Sequence, residues 1–191
     1  SKNPGRCLLA IPSENRLRKC LGHMLDPEEF LSDFGIRSLS KAHGEQPFVF
    51  EHHGQRHEVC YTPGESTTDM FGGNSNWRGP IWFPMNYLIL DSLSKFSDYY
   101  GADYEVEFPT NSGEMMNIKD AAEGVSRRLL AMFVPNVKGV VPMYDGHEKL
   151  HDDSHLFFEY FDGDTGKGLG ANHQTGWTGL ISEIILQLHK K

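Results

Sequence analysis

The sequence predicts a mainly α-helical protein with long loops and one short β-hairpin. Three observations carry that expectation. Four segments repeat their apolar residues with the 3.6-residue period of a helix. One stretch around Gly54 is flanked by short runs that read as paired strands. Between the first two helical segments lies a long region rich in Gly, Asn and Trp with no helical period. Loops of that length in a compact domain usually carry function.

The first helix is expected over Glu14–Leu25, with Leu17, Cys20, Leu21, Met24 and Leu25 on one face. Ser13 is its N-cap and Pro27 stops it. A short helical turn is expected over Glu28–Phe34. The hairpin follows, Pro47–Glu51 against Arg56–Tyr61. The second helix is expected over Pro84–Tyr100. Pro84 suits a first helical position, Leu88, Ile89, Leu93, Phe96 and Tyr100 form a stripe, and Gly101 is the C-cap. In the third helix, Asn117 caps, Asp120 favours the N-terminal dipole, and Ile118, Ala121, Ala122, Val125, Leu129 and Met132 line one side as far as Pro135. The fourth runs over Trp177–His189 and buries Leu180, Ile181, Ile184, Ile185 and Leu188.

With 191 residues the chain is one domain or one piece of a larger one. Four helices are few to enclose a core of their own, so the expectation is one partial domain over residues 1–191. The net charge is −8, from 18 basic and 26 acidic residues, with no basic block. Such a chain is a poor partner for nucleic acid or an anionic membrane. No apolar run approaches the ~18 residues of a membrane span. The start Ser1-Lys2-Asn3, without Met, reads as processed or truncated. No signal peptide is visible, so the expected compartment is the cytoplasm, subject to what precedes this sequence. Cys7, Cys20 and Cys60 form no disulfide framework and read as free thiols.

Two segments point to carbohydrate chemistry. Trp77, Arg78 and Trp82, with Asn74 and Asn76, combine flat aromatic faces with planar polar groups. Indoles stack on the C–H face of a pyranose, and amide or guanidinium groups bond neighbouring hydroxyls in pairs. Ordinary packing of loop aromatics against helix ends is the competing reading. In the second segment, Glu159 stands among Phe157, Phe158, Tyr160 and Phe161. Strand alternation would put Phe158, Tyr160 and Asp162 on one face and Phe157, Glu159 and Phe161 on the other. A carboxylate there is either paired with a cation or functional, because burying an unpaired charge is costly. An apolar setting raises a carboxyl pKa, which suits acid–base work.

Other chemistries are weaker. Asp162-Gly163-Asp164-Thr165-Gly166 lacks the later Glu of a calcium loop. His147, His151 and His155 share a helical spacing, but their flanks are loop-like and there is no HExxH. Cys60 follows His52, His53 and His57, a thin basis for a thiol nucleophile. Phosphate-cradling and dinucleotide glycine motifs are absent. No metal and no cofactor is expected.

The runs GGNSNWRGPIW (Gly72–Trp82) and FFEYFDGDTGKGLGANHQTGWTGL (Phe157–Leu180) together resemble the C-terminal part of glycoside hydrolase family 63 and its bacterial relatives. That group includes processing α-glucosidases and mannosylglycerate hydrolases. Arg37-Ser38-Leu39-Ser40 and Tyr61–Ser66 are similar to its bacterial glucosidase-like branch, and the resemblance runs from about Ile11 to the end.

The resemblance implies the C-terminal portion of an (α/α)6 toroid with a sugar pocket at one mouth. It also implies inverting hydrolysis of an α-glucoside or α-mannoside by two carboxyl groups, roughly 6.5–9.5 Å apart to admit a water. Glu159 matches the general base. Trp77 and Trp82 match pocket aromatics, with Arg78 beside them. Trp177 resembles another pocket residue, with His173 and Gln174 nearby. Asn76 and Tyr160 complete the candidate substrate-binding set. The family's general acid is an Asp in a Gly-x-Asp-Asp motif, and that motif is absent here. The resemblance therefore implies a fragment holding the base without the acid, whose partners are a carbohydrate and the upstream part of the same polypeptide. A homo-oligomer is a further expectation, from an apolar face left uncovered. The reading from a different class is a non-catalytic carbohydrate-binding or scaffold domain.

Overall fold

The computed structural model describes Gly5 and residues 7–69, 76–146 and 156–189. Among the described residues, four helices carry most of the regular structure, joined by loops and four two-stranded pairings. None of these helices is long and apolar enough to cross a membrane.

Helix α1 (Glu14–Met24) starts where the Ser13 side chain accepts from the Arg16 N–H, and it buries Leu17 and Leu21. The helical turn expected over Glu28–Phe34 is instead a turn followed by the two-residue strands β1 (Leu31–Ser32) and β2 (Gly35–Ile36). Packing explains the difference. Gly35 has φ +134°, and a Cβ there would lie 2.8 Å from Leu129 Cδ2. At that φ the backbone cannot continue a right-handed helix, and it runs close against the Leu129 side chain instead.

The hairpin forms as expected, with β3 (Phe48–His52) paired to β4 (Gln55–Val59). Its two-residue turn places both His53 (φ 48°) and Gly54 (φ 75°) in the left-handed region, which matches the twist of the flanking strands. Helix α2 (Phe83–Tyr100) carries Pro84 in its first turn and ends at Gly101 (φ 76°). Its expected stripe holds except at Leu88, with Ile89 and Phe96 packed against the core. Leu90, Leu93 and Tyr100 are buried, whereas Leu88 is 56% exposed.

Strands β5 (Glu105–Glu107) and β6 (Met115–Asn117) pair next. They lead into α3 (Ile118–Ala131), where the Asn117 side chain accepts from the Asp120 N–H at 3.0 Å. Ile118, Ala121, Val125, Leu129 and Met132 of the expected face are all at most 1% exposed, so α3 is the central element of the core. Strands β7 (Tyr160–Phe161) and β8 (Gly168–Leu169) pair with each other. Helix α4 (Ile181–His189) follows one 3-10 turn over Thr178–Leu180. It buries Ile181 and Ile184 and leaves Ile185 and Leu186 exposed. Helix α3 packs between α2 and α4, and α1 lies against β5.

Along α1 and α2 the apolar surface is not filled. A cavity of about 590 Å³ beside Trp77 and Trp82 adjoins a second of about 240 Å³. Both are lined by Cys20 and Met24 of α1 and by Met85 and Ile89 of α2.

Candidate functional site

The site is assembled on a narrow ladder that joins three distant loops. Arg37 bridges Ile81, and Ile81 bridges Phe161, both antiparallel. Ile81 and Phe161 exchange both backbone hydrogen bonds, at 2.8 and 3.0 Å. The antiparallel register then brings Trp82 opposite Tyr160, on the same face. Their rings stack at 4.9 Å and 22°.

Asn86 fixes the Trp82 end of this ladder. Its Oδ1 accepts from the Ile36 N–H at 2.8 Å, and its Nδ2 donates to the carbonyls of Ile36 and Trp82, both at 3.0 Å. A buried amide on an otherwise apolar helix face is thereby fully used.

Trp82 is 1% exposed and donates its indole N–H to the Asn76 carbonyl at 2.9 Å. Trp77 lies over it with 3.8 Å between ring centroids and 4° between planes. Trp177 tilts against it at 5.5 Å. Trp77 and Trp177 remain 39% and 36% exposed. The three tryptophans therefore split into one buried support and two rings with open surface.

Asn76 and Arg78 are buried, and their polar groups brace the neighbouring loop. Asn76 Nδ2 donates to the Thr62 and Gly64 carbonyls, at 2.8 and 2.6 Å. Arg78 donates to Ser66 Oγ at 2.7 Å and Thr68 Oγ1 at 2.9 Å. In this arrangement both residues shape the wall that Trp77 stands on. Residues 70–75, including Asn74, lie outside the described set.

Glu159 is half-buried on the arm preceding β7. Its N–H donates to the Ala171 carbonyl at 2.7 Å, and the Ala171 N–H donates to Glu159 Oε2 at 3.2 Å. The carboxylate is held against backbone. Gly170, at φ +68°, makes this contact possible, since a Cβ there would lie 2.7 Å from Oε2. The alternation expected here is broken. Phe158 and Phe161, expected on opposite faces, pack together with centroids 6.3 Å apart, Phe161 also meets Phe83 and Phe133, and Tyr160 is buried against Trp82. The Tyr160 phenol is pushed up to about 12, first by burial and then by the negative charges of Glu65 and Glu159. It stays protonated near neutrality.

His173 is exposed and bridges Phe157 in parallel. Gln174 is half-buried. Its N–H donates to the Phe157 carbonyl, and its own carbonyl accepts from the N–H groups of Trp177 and Thr178. Its backbone turns the chain from the Glu159 arm toward Trp177. Asp162 Oδ1 accepts from the N–H groups of Asp164 and Thr165, so this turn is closed by its own carboxylate. His147, His151 and His155 lie outside the described residues. Among the described ones, no three His, Cys, Asp or Glu are grouped to hold a metal. Cys7, Cys20 and Cys60 are free.

Residues 7–187 match the model of the glycosyl hydrolase family 63 C-terminal domain. The chain belongs to glycosyl hydrolase family 63. Among relatives, an uncharacterized protein of Saccharomyces cerevisiae is 49% identical over 187 residues, which are 94% of this chain and 17% of that protein. The mannosyl-oligosaccharide glucosidase of the same yeast is 27% identical over 180 residues, 93% of this chain and 16% of the enzyme. Alpha-glucosidase 2 of Arabidopsis thaliana is 27% identical over 154 residues, 81% of this chain and 14% of the enzyme. The chain thus spans under one fifth of the length of these relatives.

Sequence reasoning missed Asn86, Tyr61 and Asp164 as organisers of this candidate site. Asn86 left a faint signal, a lone amide among Phe83, Tyr87 and Leu90 on a helix face. Tyr61 and Asp164 left none, because their meeting spans 103 residues.

Proposed function

We propose that this chain is the C-terminal part of an inverting α-glycosidase and that Glu159 is the general base. The ionised carboxylate would take a proton from water as that water attacks the anomeric carbon. An acid supplied by the rest of the polypeptide would protonate the departing oxygen from the other face of the ring. The observation that carries this reading is a half-open Glu159 oriented by the Ala171 N–H and adjoining Tyr160 of the aromatic stack. Trp77 and Trp177 would supply ring faces for the sugar. The substrate class is an α-glucoside, with α-mannosides second, in keeping with the glucosidase names of the relatives.

The remainder of an (α/α)6 toroid is the natural cover for the unfilled cavities along α1 and α2, which are apolar and extend from Met85 to Phe96. That span of α2 is roughly 16 Å, about three turns for a neighbouring helix to fill.

The test is Glu159→Gln in the full-length polypeptide. Turnover should fall by on the order of 10²–10⁴ while sugar binding by calorimetry persists. NMR of the first product should show the inverted anomer. Unchanged hydrolysis, or a retained anomer, rejects the assignment.

A further inference from the structure

We infer that Arg37, Tyr61 and Asp164 form a positioning clamp that sets the register of the arm bearing Glu159. The inference rests on the reading of Glu159 as base. Arg37 and Asp164 are 127 positions apart in sequence, and the three residues come from three separate loops.

Arg37 is 7% exposed, and each of its guanidinium nitrogens is engaged. Nε donates to the Tyr61 hydroxyl at 3.0 Å. Nη1 donates to the carbonyls of Pro27 and Glu29 at 3.2 and 3.3 Å. Nη2 donates to Asp164 Oδ1 at 3.2 Å. The Tyr61 hydroxyl donates to the same Asp164 oxygen at 2.8 Å. Burial raises the Tyr61 pKa, and the bond to Asp164 raises it further, so this donor is in place at every working pH. Among the described residues, Asp164 is the one carboxylate paired with the Arg37 cation.

Asp164 sits at the tip of a longer hairpin whose arms are β7 and β8. That tip has no spare room. A Cβ on Gly163 would lie 2.6 Å from the Gly79 carbonyl oxygen and 2.9 Å from the Tyr61 hydroxyl. The Gly163 N–H donates to the Pro63 carbonyl at 2.9 Å. From this tip the arms run back through the pairs Phe161–Gly168 and Tyr160–Leu169 to Glu159 and Ala171. Those two residues carry the carboxylate and its N–H donor. Arg37 also bridges Ile81 on the other side of β7. The clamp therefore ties the hairpin to the segment that holds Trp82. A slip of the arm moves the carboxylate relative to the aromatic stack, and a displacement near 1 Å costs on the order of 10²-fold in rate.

The experiment compares Asp164→Asn, Tyr61→Phe and Glu159→Gln in the full-length polypeptide. Folded fraction is measured by near-UV circular dichroism, and rates are taken per folded molecule well below the unfolding midpoint. Asp164→Asn should lower kcat by on the order of 10–10²-fold with KM changed less than about threefold. Tyr61→Phe keeps the ring and the Arg37–Asp164 pair, so it should fall between Asp164→Asn and the parent. A purely structural role lowers the midpoint and leaves kcat per folded molecule alone, and that result overturns the clamp. If Asp164→Asn does not fold, Tyr61→Phe decides, and kcat within about twofold of the parent overturns it. Should Glu159→Gln itself keep full turnover, the base assignment fails and the clamp falls with it. A dead Glu159→Gln beside fully active clamp variants overturns the clamp alone.

Discussion

The indole of Trp77 lies flat on that of Trp82, 3.8 Å between centroids and 4° from parallel, yet one ring is 39% exposed and the other 1%. The pair divides labour: Trp82 supports and Trp77 presents. Trp82→Ala should cost about 3–5 kcal/mol of folding stability, as large aromatic truncations in a core do. Trp77→Ala should cost well under half of that and act chiefly on sugar affinity. Urea unfolding and calorimetry with a glucoside separate the two effects. Equal destabilisation by both variants would contradict this division.

Gly170 is the position where backbone freedom meets the proposed chemistry. Gly170→Ala introduces a Cβ 2.7 Å from Glu159 Oε2 at φ +68°. Backbone strain alone should cost roughly 1–2 kcal/mol. The displaced carboxylate should lower kcat more than KM in the full-length polypeptide. A crystal structure of the variant would show Oε2 moved away from the Ala171 N–H, and an unmoved Oε2 with full activity would refute the steric argument.

Asn86 offers a stability test, because its amide makes three hydrogen bonds, all to main-chain groups of Ile36 and Trp82. Asn86→Leu removes all three and leaves the Ile36 N–H and carbonyl buried without that partner. The expected loss is about 2–4 kcal/mol, read from the denaturant midpoint. Asn86→Asp keeps the acceptor for the Ile36 N–H but replaces the Nδ2 donor with a second acceptor facing two carbonyls. It should be no more stable than Asn86→Leu.

His23 gives a pH-dependent signature. Its Nδ1 lies 2.5 Å from Glu29 Oε1, and the hydrogen bond and charge of Glu29 raise its pKa above 6.5. A raised folded-state value means the stabilisation is fully present below the unfolded value of 6.5. It is lost as the pH rises through the folded value. The imidazole is 68% exposed, so the effect is small. An NMR titration should place His23 above the free value, and His23→Gln should flatten the stability slope in that window. A titration at or below 6.5 would refute the pairing.

Much of this was legible in the sequence. The Asn117 cap and the face from Ile118 to Met132 appear as expected, because caps and helical periodicity are local properties. The His53–Gly54 turn is equally local. The α2 stripe holds at Ile89, Leu93, Phe96 and Tyr100 and fails at Leu88, since a helix with apolar residues on two sides does not say where the core ends. In α2 the core also took Leu90, while Leu88 lines an unfilled cavity. The short strands β1 and β2 were invisible as such, because two residues show no period and Gly35 owes its conformation to Leu129.

The two motif runs by themselves carried the resemblance to the family and singled out the candidate carboxylate and the aromatic segment that accompanies it. Only the tertiary structure decided which tryptophan is buried, that Asn76 and Arg78 brace a loop, and that Arg37, Tyr61 and Asp164 meet. Periodicity and motifs record what neighbouring residues do to one another. Contacts between residues separated by 24 to 127 positions depend on how the loops close, and no local pattern encodes that closure.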